Sequence, residues 1–326
     1  MNPVQLIPNR PQPVRRPTSL DELHRRARRA VTKLTDSTSV ASPALVVADI
    51  PVNSAGHTVS GQFRLLSAGA AASPDLLGFR RRLDRLRLAL GKRHRLCQIT
   101  LASSGAQALS ALFAKEGPVR VGEPLMHALA TLIHEELHAV HYAGWPGLVQ
   151  DRALETPGVR QIAEGITELG VEELLPAILP QLGLGGLRAA PFLQTRPAYV
   201  AQREAARGLV DHIAGLGRKS PRDVLMRALQ YGSGTLALRT LAHDIARARD
   251  LDNRIPEWRW SLARFQRELA PSAEAQIVGA IVSPFDELAG WFRNAPDGLA
   301  ETARERGEEA STAVIRGLDD LMRAAA

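Results

Sequence analysis

Two textures of hydrophobic pattern divide the chain. Up to about residue 115, short alternating or continuous apolar runs stand among basic and proline-rich stretches; from Glu123 onward apolar residues recur at three- and four-residue spacing. The second spacing is that of helices burying one face. Within the first texture, residues 44–52 (ALVVADIPV) and 58–67 (TVSGQFRLLS) read as strands. Gln62 and Arg64 alternate with Phe63 and Leu65, as on a half-exposed strand. The intervening Asn53-Ser54-Ala55-Gly56 is a turn sequence, so the two runs are expected to form a hairpin. Residues 95–102 (RLCQITLA) predict a third strand, followed by a helix of small residues to about Lys115. Between them, Leu76, Leu77, Leu83, Leu86 and Leu90 mark a helix over 75–90 with arginines on its other face.

At the start, Pro3, Pro8, Pro11, Pro13 and Pro17 exclude helix and sheet interior. Residues 20–34 then offer a short basic helix with Ser19 as its N-cap, and 1–40 as a whole reads as a flexible basic arm. In the second texture, Gly122 and Pro124 open a long helix that runs to about Tyr142 and stops at Gly144, Trp145 and Pro146. Further helices are predicted near 157–169, 171–181, 197–215, 221–230, 233–249, 257–269 and 285–293. A charged, alanine-rich helix follows from about Leu299, either docked or loose. The expected class is α+β. A sheet-and-helix unit over 41–150 is followed by a helical unit over 151–270 and a helical extension over 271–326, the first two joined at the long helix.

Composition changes this picture little. The chain has 326 residues, 45% hydrophobic and 23% charged, enough for more than one packed unit; with only 4% aromatic, the core must be built from Leu, Ala, Val and Ile. A net charge of +7 raises the question of an anionic partner. Lysine occurs only at Lys33, Lys92, Lys115 and Lys219, so a bias toward arginine accounts for the charge as well as a binding face does. The arginine runs at 24–30 (HRRARRA) and 80–87 lack interleaved aromatics, and no zinc-finger or RNP signature accompanies them. A non-enzymatic basic module binding nucleic acid or an acidic protein is therefore the weaker alternative. Cys97 is the only cysteine, which excludes an intrachain disulfide and suggests a buried, inert thiol. Residues 1–17 lack the apolar segment of a secretory signal, and no stretch approaches the ~18 apolar residues of a membrane span. A soluble protein is expected, cytoplasmic or exported without a recognisable signal peptide.

The long helix carries His134-Glu135-Glu136-Leu137-His138, an H-E-x-x-H. Imidazoles at i and i+4 share one face and are close enough to hold one metal ion. Zn²⁺ takes such nitrogens at roughly 2.0–2.1 Å and, in catalytic sites, needs a third protein ligand and an open position. Glu135 is then the candidate general base for a metal-activated water. Ala128, Leu129, Leu132, Ile133, Leu137, Ala139 and Val140 make the helix apolar on most sides. Histidines inside such a helix need partners, because unpaired buried polar groups cost several kcal/mol by transfer estimates, roughly 2–7. His141 shares the face of His138 one turn on, and His127 lies two turns before His134. Both are candidates for supporting contacts, against the plainer reading as half-exposed helix residues.

Downstream stands Ile162-Ala163-Glu164-Gly165-Ile166-Thr167-Glu168-Leu169. With H-E-x-x-H, this E-G-x-T-E segment resembles the gluzincin group of zinc metallopeptidases in the zincin superfamily. The resemblance is good over about 120–170 and extends through a helix near 199–215. It implies one Zn²⁺ per chain held by His134, His138 and Glu164, Glu135 as catalytic base, and a protein or peptide substrate. It also implies that the first sheet belongs to a zincin-like upper unit, where an edge strand can hold an extended peptide. Glu168, one turn from Glu164, either ligates instead or orients a histidine from behind. Glu155 also lies between motif and helix, but in the connection, where its position would be loosely held. Gly165 is expected to let the two ligand-bearing helices approach closely. Such enzymes often place a Tyr or His opposite the base; of Tyr199, His212, Tyr231 and His243, Tyr199 is the first choice because it opens a helix after an apolar loop. No nucleophile elbow or phosphate loop competes: Ser103-Ser104-Gly105 and residues 183–186 (GLGG) lack the required neighbours.

Overall fold

A computed structural model describes residues 15–36, 44–48, 61–65, 97–113, 122–143, 157–189, 192–193, 199–231, 241, 273–294 and 300–324. Helix α1 spans Leu20–Leu34, and its N-terminus is capped as expected. Ser19 Oγ accepts from the Glu22 amide at 3.2 Å, while Thr18 donates both its amide and its hydroxyl to Glu22 Oε2 at 2.7 Å. This is a capping box shifted by one residue. Leu23, Ala27, Ala30 and Val31 lie on one face of α1 and are buried in the main core. The segment from Leu20, expected to belong to a flexible arm, is thus packed. Its arginines obscure the apolar stripe in a reading of composition, but not in the i, i+4, i+7, i+8 spacing.

The sheet contains β1 (Ala44–Ala48), β2 (Gly61–Leu65) and β3 (Cys97–Ala102), in the order β1-β3-β2. β3 pairs in parallel with β1, Ala44 facing Gln98 and Ala48 facing Ala102, and antiparallel with β2, Gly61 facing Leu101 and Leu65 facing Cys97. The expected β1–β2 hairpin is therefore not formed, because β3 stands between them. The physical reason lies in β3, where consecutive Ile99, Thr100 and Leu101 are all buried, as in a strand covered on both faces. β1, by contrast, leaves Val46 and Val47 exposed at the sheet edge. β3 leads directly into α2 (Ser103–Ser110) and a 3₁₀ turn at Ala111–Phe113.

The long helix α3 spans Glu123–Ala143. It is followed by α4 (Pro157–Gln181), α5 (Val200–Gly217), α6 (Pro221–Tyr231), α7 (Ala273–Asn294) and α8 (Ala300–Ala324). α3 is central: α1, α2, β2, β3, α4 and α6 pack around it. A small sheet with a predominantly helical body is compatible with the expected α+β class. α4 is one helix where two were expected, meeting at Gly170. A Cβ at Gly170 would come within 2.9 Å of Leu229 and 3.1 Å of Leu137, so this glycine serves close packing of α4 on α6 and α3 and does not end the helix. α7 begins well before the expected residue 285 and runs through Pro284. α8 docks on α5 and α7, with Gly307 against the Ala201 backbone and Gly208 against Ser311.

Gly165 allows a close helix approach, but to α5 and not to α3: a Cβ there would overlap the Gln202 carbonyl and lie 2.8 Å from the Ala206 Cβ. Gly165→Ala is therefore expected to destabilise the metal-free protein by about 1–3 kcal/mol, the usual range for overpacking. Thermal unfolding checks this, and an unchanged midpoint would show that α4 and α5 can separate freely. The turn at 53–56, the helix at 75–90 with the arginines of 80–87, and most of the helices at 233–249 and 257–269 lie outside the described residues. So do Glu155, His243 and the side chains of Cys97, His141 and Tyr231.

Candidate metal centre

In the middle of α3, His134, Glu135, Glu136 and His138 are all buried. Helical periodicity puts both histidines on the face toward α4. There His134 Nε2 lies 3.0 Å from His138 Nε2 and 3.0 Å from Glu164 Oε2, and His138 Nε2 lies 3.3 Å from the same carboxylate oxygen. Three donor atoms from two helices thus form one nearly regular triangle. Ligands at ~2.0–2.1 Å in tetrahedral array around zinc are separated by roughly 3.3 Å, so the triangle fits such an ion with little adjustment. It is the only group of three or more convergent metal-binding side chains among the described residues. Glu155 lies outside those residues, while Glu168 takes a different position.

Glu168 sits one turn after Glu164, is 1% exposed, and brings Oε1 to 2.7 Å from His134 Nδ1. A carboxylate at that nitrogen fixes the ring and leaves Nε2 to face the other two donors. Tyr199 completes the surroundings. Its ring lies parallel to that of His134, 5° between planes and 5.3 Å between centroids, in offset stacking. Tyr199 also opens α5 with φ 52 and ψ 31, a left-handed conformation that costs a residue other than glycine of order 1–3 kcal/mol. Just beyond it, Arg203 is buried and donates to the Leu193 carbonyl at 3.3 Å, with Glu172 Oε1 at 3.2 Å. Glu164, Glu168 and Glu172 thus form an i, i+4, i+8 series on α4, serving in turn the triangle, the back of His134 and Arg203. The third member was not recognised in the sequence, although the repeat was visible there.

The charges in this cluster are mutually dependent. Burial alone would lower the proton affinity of His134, but Glu164 and Glu168 outweigh it and hold the group up to about 10. Burial likewise favours a neutral Glu164, yet His138 and His134 hold its carboxyl well below the usual range. In metal-free protein His134 is therefore an imidazolium, its Nε2–H directed at Glu164 and its Nδ1–H at Glu168. That pairing stabilises the fold fully below the ordinary imidazole value of 6.5 and is lost as pH rises toward about 10; the Glu164 share is lost on acidification below 4.5. A divalent metal must displace the His134 proton. Binding near pH 7 is expected to release about one proton, and affinity to rise by up to ~10-fold per pH unit. Calorimetry in buffers of different ionisation enthalpy measures this, and pH-independent affinity between pH 6 and 8 would contradict it.

Other candidates lie elsewhere. His127 Nε2 faces Glu123 Oε1 of its own helix at 3.6 Å, and His212 Nε2 approaches Asp319 on α8 at 3.8 Å. Neither takes part in the convergent group. Sequence reading passed over Glu136, although a carboxylate in an otherwise apolar helix signals a buried partner. That partner is α1: Glu136 Oε1 lies 2.7 Å from His24 Nε2, and Oε2 lies 3.4 Å from Arg28 Nη1. Among the described residues, no helix is long and apolar enough to cross a membrane. Comparison with models of known protein families, with curated proteins and with solved structures finds no match to this chain.

Proposed function

We propose that the protein is a zinc-dependent metallopeptidase with His134, His138 and Glu164 as ligands and Glu135 as general base. The observation that carries this reading is the convergence of two imidazole nitrogens and one carboxylate oxygen at 3.0–3.3 Å, with Glu168 behind the first imidazole. Two histidines and a glutamate are a donor set suited to zinc in hydrolytic sites. When bound, zinc supplies a Lewis acid for the substrate carbonyl and lowers the pKa of the attacking water.

The remaining steps belong to the chain. Glu135 follows His134 directly and is buried, so its carboxylate is shielded from bulk solvent. It accepts a proton from the attacking water on a carboxylate oxygen and returns it to the departing amine nitrogen, so no net proton is consumed in bond cleavage. Glu168 keeps His134 oriented through Nδ1. Tyr199, half out in solvent beside His134, offers its phenol as a hydrogen-bond donor to the developing oxyanion. The competing basic-module reading loses part of its support, because His24 and Arg28 of the 24–30 run turn inward to Glu136.

Protein purified without added metal is expected to cleave a generic unfolded protein, to lose this activity in EDTA and to regain it with about one equivalent of zinc. Zinc-loaded protein that leaves unfolded substrates intact would refute the peptidase reading while leaving the metal centre standing.

A further inference from the structure

The proposed mechanism makes no use of Glu136, yet this is the most deeply buried charged side chain of the motif. It is 0% exposed, against 6% for Glu135. At 100° per residue, Glu136 lies about 160° around α3 from both His134 and His138. It therefore leaves the helix on the side opposite the ligand triangle. There it meets two buried side chains of α1, His24 with Nε2 at 2.7 Å and Arg28 with Nη1 at 3.4 Å. Arg28 Nη1 also donates to the Glu136 backbone carbonyl at 3.3 Å, so α1 grips both the side chain and the main chain of this turn. α1 packs at the same time against α4, the helix that carries Glu164. It thus spans, from behind, the two helices that supply the three ligands.

A buried ionic group contributes little net stability, since desolvation offsets most of the attraction; its directional contacts can instead select one arrangement among several. Apolar contacts between α1 and α3 would tolerate a few degrees of helix rotation. A carboxylate held by two donors, with a third contact on its own carbonyl, tolerates much less. Rotation of α3 moves His134 and His138 relative to Glu164, and a shift of a few tenths of an ångström disturbs a triangle with edges of 3.0–3.3 Å. We infer that His24 and Arg28, acting through Glu136, are positioning residues for the metal centre, and that α1 is a bracket setting the rotation of α3 against α4. This inference rests on the ligand assignment made above.

The test replaces the ionic group by apolar residues of similar volume, H24L/R28M/E136L in the full chain, and measures zinc affinity by chelator competition. Such a replacement is expected to leave thermal stability equal or higher. Zinc affinity should nevertheless fall by roughly tenfold or more, in the range that contacts outside the ligand set contribute. The visible spectrum of the Co²⁺-substituted protein should change, which a purely structural role would not cause. R28M alone, which leaves Glu136 with His24, decides the matter if the triple variant does not fold, and should show the same changes in smaller measure. A folded triple or single variant with zinc affinity within about twofold of the parent and an unchanged Co²⁺ spectrum overturns the inference. A parent protein that binds no zinc fails at the ligand assignment instead, and the two failures are thereby distinguished.

Discussion

Glu135→Gln is expected to retain zinc while turnover falls by ~10²-fold or more. The substitution preserves the size of the side chain and its place beside His134, and none of the three convergent donor atoms belongs to residue 135. What it removes is a carboxylate able to accept a proton. A neutral amide cannot take the proton from the attacking water or return it to the amine, so both halves of the reaction lose their carrier. The loss should appear in kcat and in kcat/KM alike, because substrate binding does not depend on proton transfer. Initial rates on an unfolded protein substrate, with metal content determined on the same samples, measure both quantities. Undiminished turnover with zinc in place would show that Glu135 is not the base.

His134→Ala and His138→Ala are expected to act one step earlier, on the metal itself. Each removes one corner of the triangle and leaves a two-donor chelate, so bound zinc should fall from about one per chain to on the order of a tenth or less after dialysis. The two variants are not equivalent in the metal-free state. His134 lies against both Glu164 and Glu168, and its loss leaves the nearly inaccessible Glu168 carboxylate without its imidazole contact. Its loss should therefore also reduce stability near neutral pH, where the folded group is still protonated. Full zinc occupancy in both variants would show that the motif does not hold the metal.

The parts of this account that depend on local periodicity were legible in the sequence. The i, i+4 spacing of His134 and His138 needs only a helix, and the apolar residues around them already implied a central one. The expectation that Gly165 brings α4 close to the motif helix does not hold: Gly165 faces Gln202 and Ala206 on α5, and Gly170 is the glycine that meets α3 through Leu137. Two glycines five residues apart lie about 140° apart around a helix, and sequence alone does not say which partner each one faces. That Tyr199 opens a helix is legible in the sequence; its left-handed backbone and its stacking on His134 are not.

Pairing between distant elements was less legible still. A good turn sequence between two strand-like runs suggested a hairpin, but local pattern carries no information on whether a later strand inserts between them, as β3 does. The same holds for Glu136, whose partner Arg28 lies 108 residues away in sequence. The apolar surroundings of Glu136 signal that it is buried with a partner, but not which one; that His24 and Arg28 supply it follows only from the docking of α1.

The most direct test of the central claim is the metal content of protein purified without added metal, with anomalous diffraction at the zinc edge to locate the ion. About one zinc per chain is expected, within roughly 2.0–2.2 Å of His134 Nε2, His138 Nε2 and a Glu164 carboxylate oxygen. A protein free of zinc after full loading conditions, or an ion held by Glu168 or Glu155 in place of Glu164, would contradict it.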